Sequence, residues 1–198
     1  MSSQGWNECL VNLTAAGQLY NTYTTAKSMF TSSTALAGAS AGLITLPPNF
    51  FDRPGKGLHI MGQAGVSNRV TGPDTFTMQI MVGAVIAFTT GAVNLTTTAH
   101  TTIPMWFDIM LTARTVGNGT LATLMGQAYL RGQMVAQASG LADNAGGTGG
   151  AMAPNTAPAV GTGFDSTVSN TLDLFVAQSV SNAGNGFQIQ QYRVFAIN

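Results

Sequence analysis

The sequence predicts an all-β protein: a jelly-roll-like sandwich of about eight antiparallel strands preceded by an extended N-terminal arm. Three observations carry that expectation. Apolar and polar residues alternate over short runs, Gly, Pro and Asn interrupt those runs at hairpin spacing, and no segment shows a strong amphipathic helical stripe or a repeat of fixed period.

Residues 1–41 are rich in Ser, Thr, Ala and Gly, with Leu10, Leu13, Leu19, Tyr20 and Tyr23 at no clean period, which reads as an arm or irregular strand pairing. A helix over Ala15–Met29 would place Leu19, Tyr23 and Met29 on part of one face, but the β-branched Thr22, Thr24 and Thr25 oppose it. From Gly42 the pattern is that of strands. Gly42–Leu46 stops at Pro47-Pro48, and Gly57–Ala64 and Thr75–Val82 are separated by Gly72-Pro73-Asp74. Ala84–Thr90 follows Gly83.

Thr101–Arg114 sets Phe107, Ile109, Leu111 and Ala113 on one face against Trp106, Asp108, Met110 and Thr112 on the other. That second face is half solvated or meets a partner. Asn118-Gly119 supplies the positive φ values of a tight turn into Leu121–Val135. Periodicity is then lost over 137–169, a long loop marked by Gly146-Gly147-Thr148-Gly149-Gly150, Pro154 and Pro158. Asn170–Val180 restores alternation, and Gly184-Asn185-Gly186 turns it into Phe187–Ile197. There Tyr192 and Val194 fall out of phase with Phe187 and Ile189, which places a bulge near Gln190-Gln191. The division is an arm over 1–41 and a sandwich domain over 42–198.

Charge is scarce. Only 7% of the 198 residues are charged, seven basic against seven acidic, whereas a typical soluble domain carries about 25%. With no basic cluster there is no electrostatic footprint for nucleic acid or anionic lipid. A surface of neutral polar groups lacks the mutual repulsion that keeps monomers apart, and so suits packing against protein. The apolar stretch Met78–Leu95 is broken by Gln79, Thr89, Thr90 and Asn94, and reads as two strands and a turn rather than a membrane span. The N-terminus lacks the basic and apolar regions of a secretory leader, and the single Cys9 excludes an intrachain disulfide, so synthesis in a reducing cytoplasm is expected.

No catalytic pattern stands out. His59 and His100 have no metal-ligand partner at helical or strand spacing; His59 reads as hydrogen-bonded or face-exposed and His100 as a solvated loop residue. No nucleophile elbow occurs, and the glycine-rich 145–150 stretch has no Lys and opens no helix. Asp165 and Asp173 could be imagined as a glycosidase pair but read as solvated acids. The expectation is a non-enzyme with no cofactor, no metal and no catalytic residues. Trp6, Trp106, Met110 and Tyr129 are the candidate interface residues, since lone aromatics on strand faces more often fill interfaces or core than bind sugar. Ten Met residues suit either core or subunit packing.

From Leu43 to Ile197 the chain resembles a family of tailed-phage and prophage structural proteins. The resemblance lies in Leu-Pro-Pro-Asn-Phe-Phe at 46–51, Pro-Gly-Lys-Gly-Leu-His-Ile-Met-Gly-Gln-Ala-Gly-Val at 54–66 and Thr-Thr-Gly-Ala-Val-Asn-Leu-Thr at 89–96. It continues in Leu-Thr-Ala-Arg-Thr-Val-Gly at 111–117, Leu-Met-Gly-Gln-Ala-Tyr-Leu at 124–130 and Asn-Thr-Leu-Asp-Leu-Phe-Val-Ala-Gln at 170–178. It implies a β-sandwich on the virion, at the capsid surface: a trimeric cement or decoration protein whose partners are itself and the major capsid protein. A tail or head fibre or other virion component, and a carbohydrate-binding β-sandwich module, are the alternatives.

Overall fold

A computed structural model describes residues 7–17, 19–30, 42–69, 74–136, 149–154, 156–157 and 159–197. Its strands are β1 (Asn7–Asn12), β2 (Lys27–Ser28), β3 (Ile44–Leu46), β4 (Gly57–Asn68), β5 (Thr75–Val82), β6 (Val85–Thr89), β7 (Val93–Asn94), β8 (His100–Thr115), β9 (Thr123–Gly132), β10 (Gly150–Ala153), β11 (Asn170–Gln178) and β12 (Gly186–Ile197). No helix among the described residues is long and apolar enough to cross a membrane.

Two antiparallel sheets result. Sheet A runs β1-β12-β4-β8-β9-β10, and sheet B runs β2-β11-β5-β6 with β3 also on β11 and β7 on β5. The pairs β1 with β12, β2 and β3 with β11, β4 with β8, and β5 with β6 are those of one long hairpin. Rolling that hairpin lays β12 beside β4 and β11 beside β5, which is jelly-roll connectivity. The sandwich expected from strand alternation is therefore present, and β9 and β10 extend sheet A beyond it.

Alternation decides which face is buried. Leu58, Ile60, Phe107, Ile109, Leu124, Leu130 and Tyr192 of sheet A meet Phe76, Met78, Ile80, Leu172 and Leu174 of sheet B, all sealed from solvent. Each such side chain contributes about 1.5–3 kcal/mol by leaving water. The rings of Phe76 and Phe187 face one another across the layers at 5.9 Å. Gly126 is a glycine because a Cβ there would run into the Phe88 ring of β6. The bulge expected near Gln190-Gln191 lies between Ile189 and Gln191, where β12 shifts register on β4 and keeps Tyr192 and Val194 in the core.

Within the stretch set apart as an arm, residues 7–17 and 19–30 run along the sandwich. They form β1 and β2 and bury Val11, Tyr20, Tyr23, Met29 and Phe30. The described residues of Ala15–Met29 are not helical; their backbone bonds go outward, as in Gly17 N–H to Ile189 O at 2.7 Å and Tyr20 N–H to Phe187 O at 3.0 Å. Of the 137–169 loop, residues 137–148, 155 and 158 lie outside the described residues. The rest contains β10 and a strap over 160–164 that bonds both sheets: Gly161 N–H donates to Leu124 O of β9, and Thr162 N–H to Ile86 O of β6. His100, expected in a loop, opens β8 opposite Asn68 because the β4 ladder continues that far.

Candidate interaction face

The outward face of sheet A is built by the polar half of the alternation. On β8 it carries Trp106, Asp108 and Met110, exactly those residues whose neighbours Met105, Phe107 and Ile109 are fully buried. Cross-strand register then fixes the surroundings. Trp106 lies between Gln63 of β4 and Arg131 of β9, Asp108 between Met61 and Tyr129, and Met110 between His59 and Gln127. Tyr129 in turn faces Met152 of β10. Trp106 and Tyr129 are diagonal neighbours, within reach of one another's long side chains.

The face is apolar for an outer surface. Trp106 is 43% exposed, Met110 43%, Tyr129 42% and Met152 51%. These four lie on three adjacent strands, while of the other exposed large apolar side chains Ile86 stands alone on β6 of sheet B and Leu19, Leu121, Val160 and Val168 lie in turns and connections. A contiguous patch of this kind on a sheet marks an interaction surface more strongly than scattered residues do.

Near its middle sits one polar pair. His59 Nε2 is 2.9 Å from Asp108 Oδ1, so the histidine is hydrogen-bonded and on a strand face, as its alternation suggested. The His59 ring also lies 6.3 Å from that of Phe195 on β12. Tyr129 leans over β10: a Cβ on Gly150 would meet its hydroxyl at 2.6 Å, so the glycine makes room for the phenol.

The structure thus brings Trp106, Met110 and Tyr129 together; Trp6 lies outside the described residues. Met152 and the His59–Asp108 pair were not legible as part of the site. Met152 sits in a stretch without periodicity, and His59 and Asp108 are 49 residues apart and meet only through the β4–β8 register. Asp165 and Asp173 do not join this face. Asp165 is tied to the β8–β9 turn by a hydrogen bond from the Gly119 N–H and to Thr167 through its hydroxyl at 2.6 Å; these hydrogen bonds, that of Thr167 foremost, hold its carboxyl below the usual range. Asp173 is not solvated, as its sequence position suggested, but 6% exposed, because residues 28–30 cover it. Among the described residues no three His, Cys, Asp or Glu side chains are grouped to hold a metal ion.

No family model matches the chain, and no curated protein matches it. Among solved structures, the chain is similar to the CBM2 module of the evolved Dit of Lactobacillus casei BL23 phage J-1, with 10% sequence identity, a TM-score of 0.42, and coverage of 99% of this chain and 98% of that one.

Proposed function

We propose that this protein is a non-enzymatic structural component of a phage virion, acting as a capsid cement or decoration protein. In this reading it forms a homo-oligomer, a trimer, and bridges neighbouring copies of the major capsid protein on the shell surface. The observation that carries the reading is the apolar outer face of sheet A, with Trp106, Met110, Tyr129 and Met152 exposed together on a chain that has almost no charge to keep copies apart. The jelly-roll connectivity and the resemblance at 46–66, 89–96, 111–117, 124–130 and 170–178 support it.

The mechanism is mechanical. Weak neutral contacts repeated by symmetry give avidity, and a protein bound only to the assembled shell stabilises it by mass action. Sedimentation at micromolar concentration should give an oligomer, and the protein should co-sediment with shells lacking it. Trp106→Ser combined with Tyr129→Ser should weaken that association by tenfold or more, an interface hot-spot loss of about 2 kcal/mol. A monomer that ignores the shells would overturn the reading.

One observation favours a second reading, a carbohydrate-binding module. Trp106 and Tyr129 are exposed on one face, flanked by the hydrogen-bonding side chains of Gln63, Asp108 and Arg131. Glycan-array binding that is lost on Trp106→Ala while shell binding is absent would select it.

A further inference from the structure

We propose that the Ser28–Asp173 contact is a protonation-sensitive latch. It holds residues 27–30 on the edge of sheet B, firmly when the Asp173 carboxyl is neutral and loosely when it is ionised.

The geometry is that of a lid over a single acid. β2 and β3 share one edge of β11, with β3 on Asn170–Leu172 and β2 on Phe175–Val176, and Asp173 lies in the gap between them. Ser28 Oγ–H donates to Asp173 Oδ1 at 2.9 Å, and the same hydroxyl accepts from Phe30 N–H at 3.1 Å. Met29 N–H donates to Leu174 O at 2.9 Å, and the Phe30 ring packs on Tyr192 with centroids 4.8 Å apart. Thus the segment that seals the carboxyl is itself fastened through the carboxyl's hydrogen-bond partner.

A sealed carboxylate needs compensation that this site does not supply. No Lys, Arg or His is within ion-pair distance of Asp173 among the described residues. On β2 the one charged group, Lys27, is exposed, with its ammonium over the Tyr23 ring at 5.4 Å. β5 presents Met81 and β3 presents Thr45 and Ile44 along this part of β11, none of them titratable. From β12 comes Tyr192, whose buried hydroxyl finds no hydrogen-bond partner among the described residues and whose own ionisation Asp173 opposes.

Burial therefore dominates, against smaller help from Ser28 and the Leu174 N–H, and pushes the Asp173 carboxyl up to about 6. With the segment lifted, the carboxyl is hydrated and returns to an ordinary value near 4. The open form is then favoured progressively as pH rises between those two values. Above the upper one the bias is constant.

Hydrogen exchange on the full chain tests this. The amides of Met29 and Phe30, corrected for intrinsic exchange rates, should lose protection by about tenfold to a hundredfold between pH 4.5 and 7. The amide of Ile109 in β8 serves as an internal reference and should stay flat. In Asp173→Asn the asparagine still accepts from Ser28 but cannot ionise, so the pH dependence of Met29 and Phe30 should vanish. Unchanged protection of these two amides across that range in the wild-type chain overturns the latch, and this arm needs no variant to fold. Loss of protection that persists in a folded Asp173→Asn protein overturns it as well, because another group then carries the effect.

Discussion

Asp74 and Asp173 are both nearly sealed from solvent, yet they differ in what faces them. For Asp74, burial alone would raise the carboxyl, but Arg69 donates from Nε at 2.8 Å and from its second nitrogen at 3.2 Å, and Asn185 donates at 2.9 Å, so it is held below the usual range. Asp173 faces no cation among the described residues and is raised by burial. The signs of linkage are opposite. Asp74 binds protons more weakly folded than unfolded, so its contribution is present above about pH 4 and lost on acidification. Asp173 binds them more tightly folded, so its contribution is present at low pH and lost as pH rises through about 6. Unfolding by urea at a series of pH values should show stability that rises to a maximum at about pH 4 and falls from there to about pH 6. Asp74→Ala should cost about 1–3 kcal/mol near neutrality, less than for a fully buried pair because Arg69 can turn its charge to water, and should flatten the acid limb. Neither role was readable from the sequence. Asp173 meets Ser28 from 145 residues away, and Asp74 meets Asn185 from 111.

Sequence alternation located the long central strands β4, β5, β8, β9, β11 and β12, where each inward residue is buried by a facing sheet and the period of two is enforced, and the Pro47-Pro48 and Gly83 breaks located the short β3 and β6. β1, β2 and β10 escaped because they are edge strands of two to six residues, paired on one side and held by partners far along the chain. The same explains Met152. The 160–164 strap shows what local pattern cannot: it is irregular, yet it closes the β6 edge by bonding both sheets. Its passage depends on Gly161, where a Cβ would press on the Ala87 carbonyl oxygen, and on Gly163, where it would press on that of Thr120. Gly161→Val should therefore destabilise by roughly 2–4 kcal/mol through forced displacement of the strap. The check is a lowered urea midpoint together with early proteolytic cleavage between 156 and 168.

For the molecule as a whole, near-neutral composition makes a statement about association that its fold does not. Seven positive and seven negative groups are spread thinly, and among the described residues Arg53 and Lys56 pair with Asp52 and Arg69 pairs with Asp74 within the chain. Contacts through the Trp106 face should then be driven by apolar burial. Raising salt from 0.05 to 0.5 M should change the apparent association constant by less than about threefold, whereas an interface steered by charge would lose affinity steeply over that range. Sedimentation velocity at the two ionic strengths distinguishes these outcomes.

The pairing of β1 with β12 puts Asn7 directly opposite Ile197. Both described ends of the chain therefore leave from one corner of sheet A, with three strands, β4, β8 and β9, between that pair of strands and β10 at the far edge. Tension applied between these two ends would meet the β1–β12 ladder as a zipper, opening it one hydrogen bond at a time, and would leave the jelly roll behind it unloaded. A load carried from the far edge to this corner would instead be shared across every ladder of the sheet. Asn7 and Ile197 thus share one corner, while Trp106 and Tyr129 lie on β8 and β9, which are not strand neighbours of β1 or β12, so this corner and the Trp106 face are separate parts of the sheet.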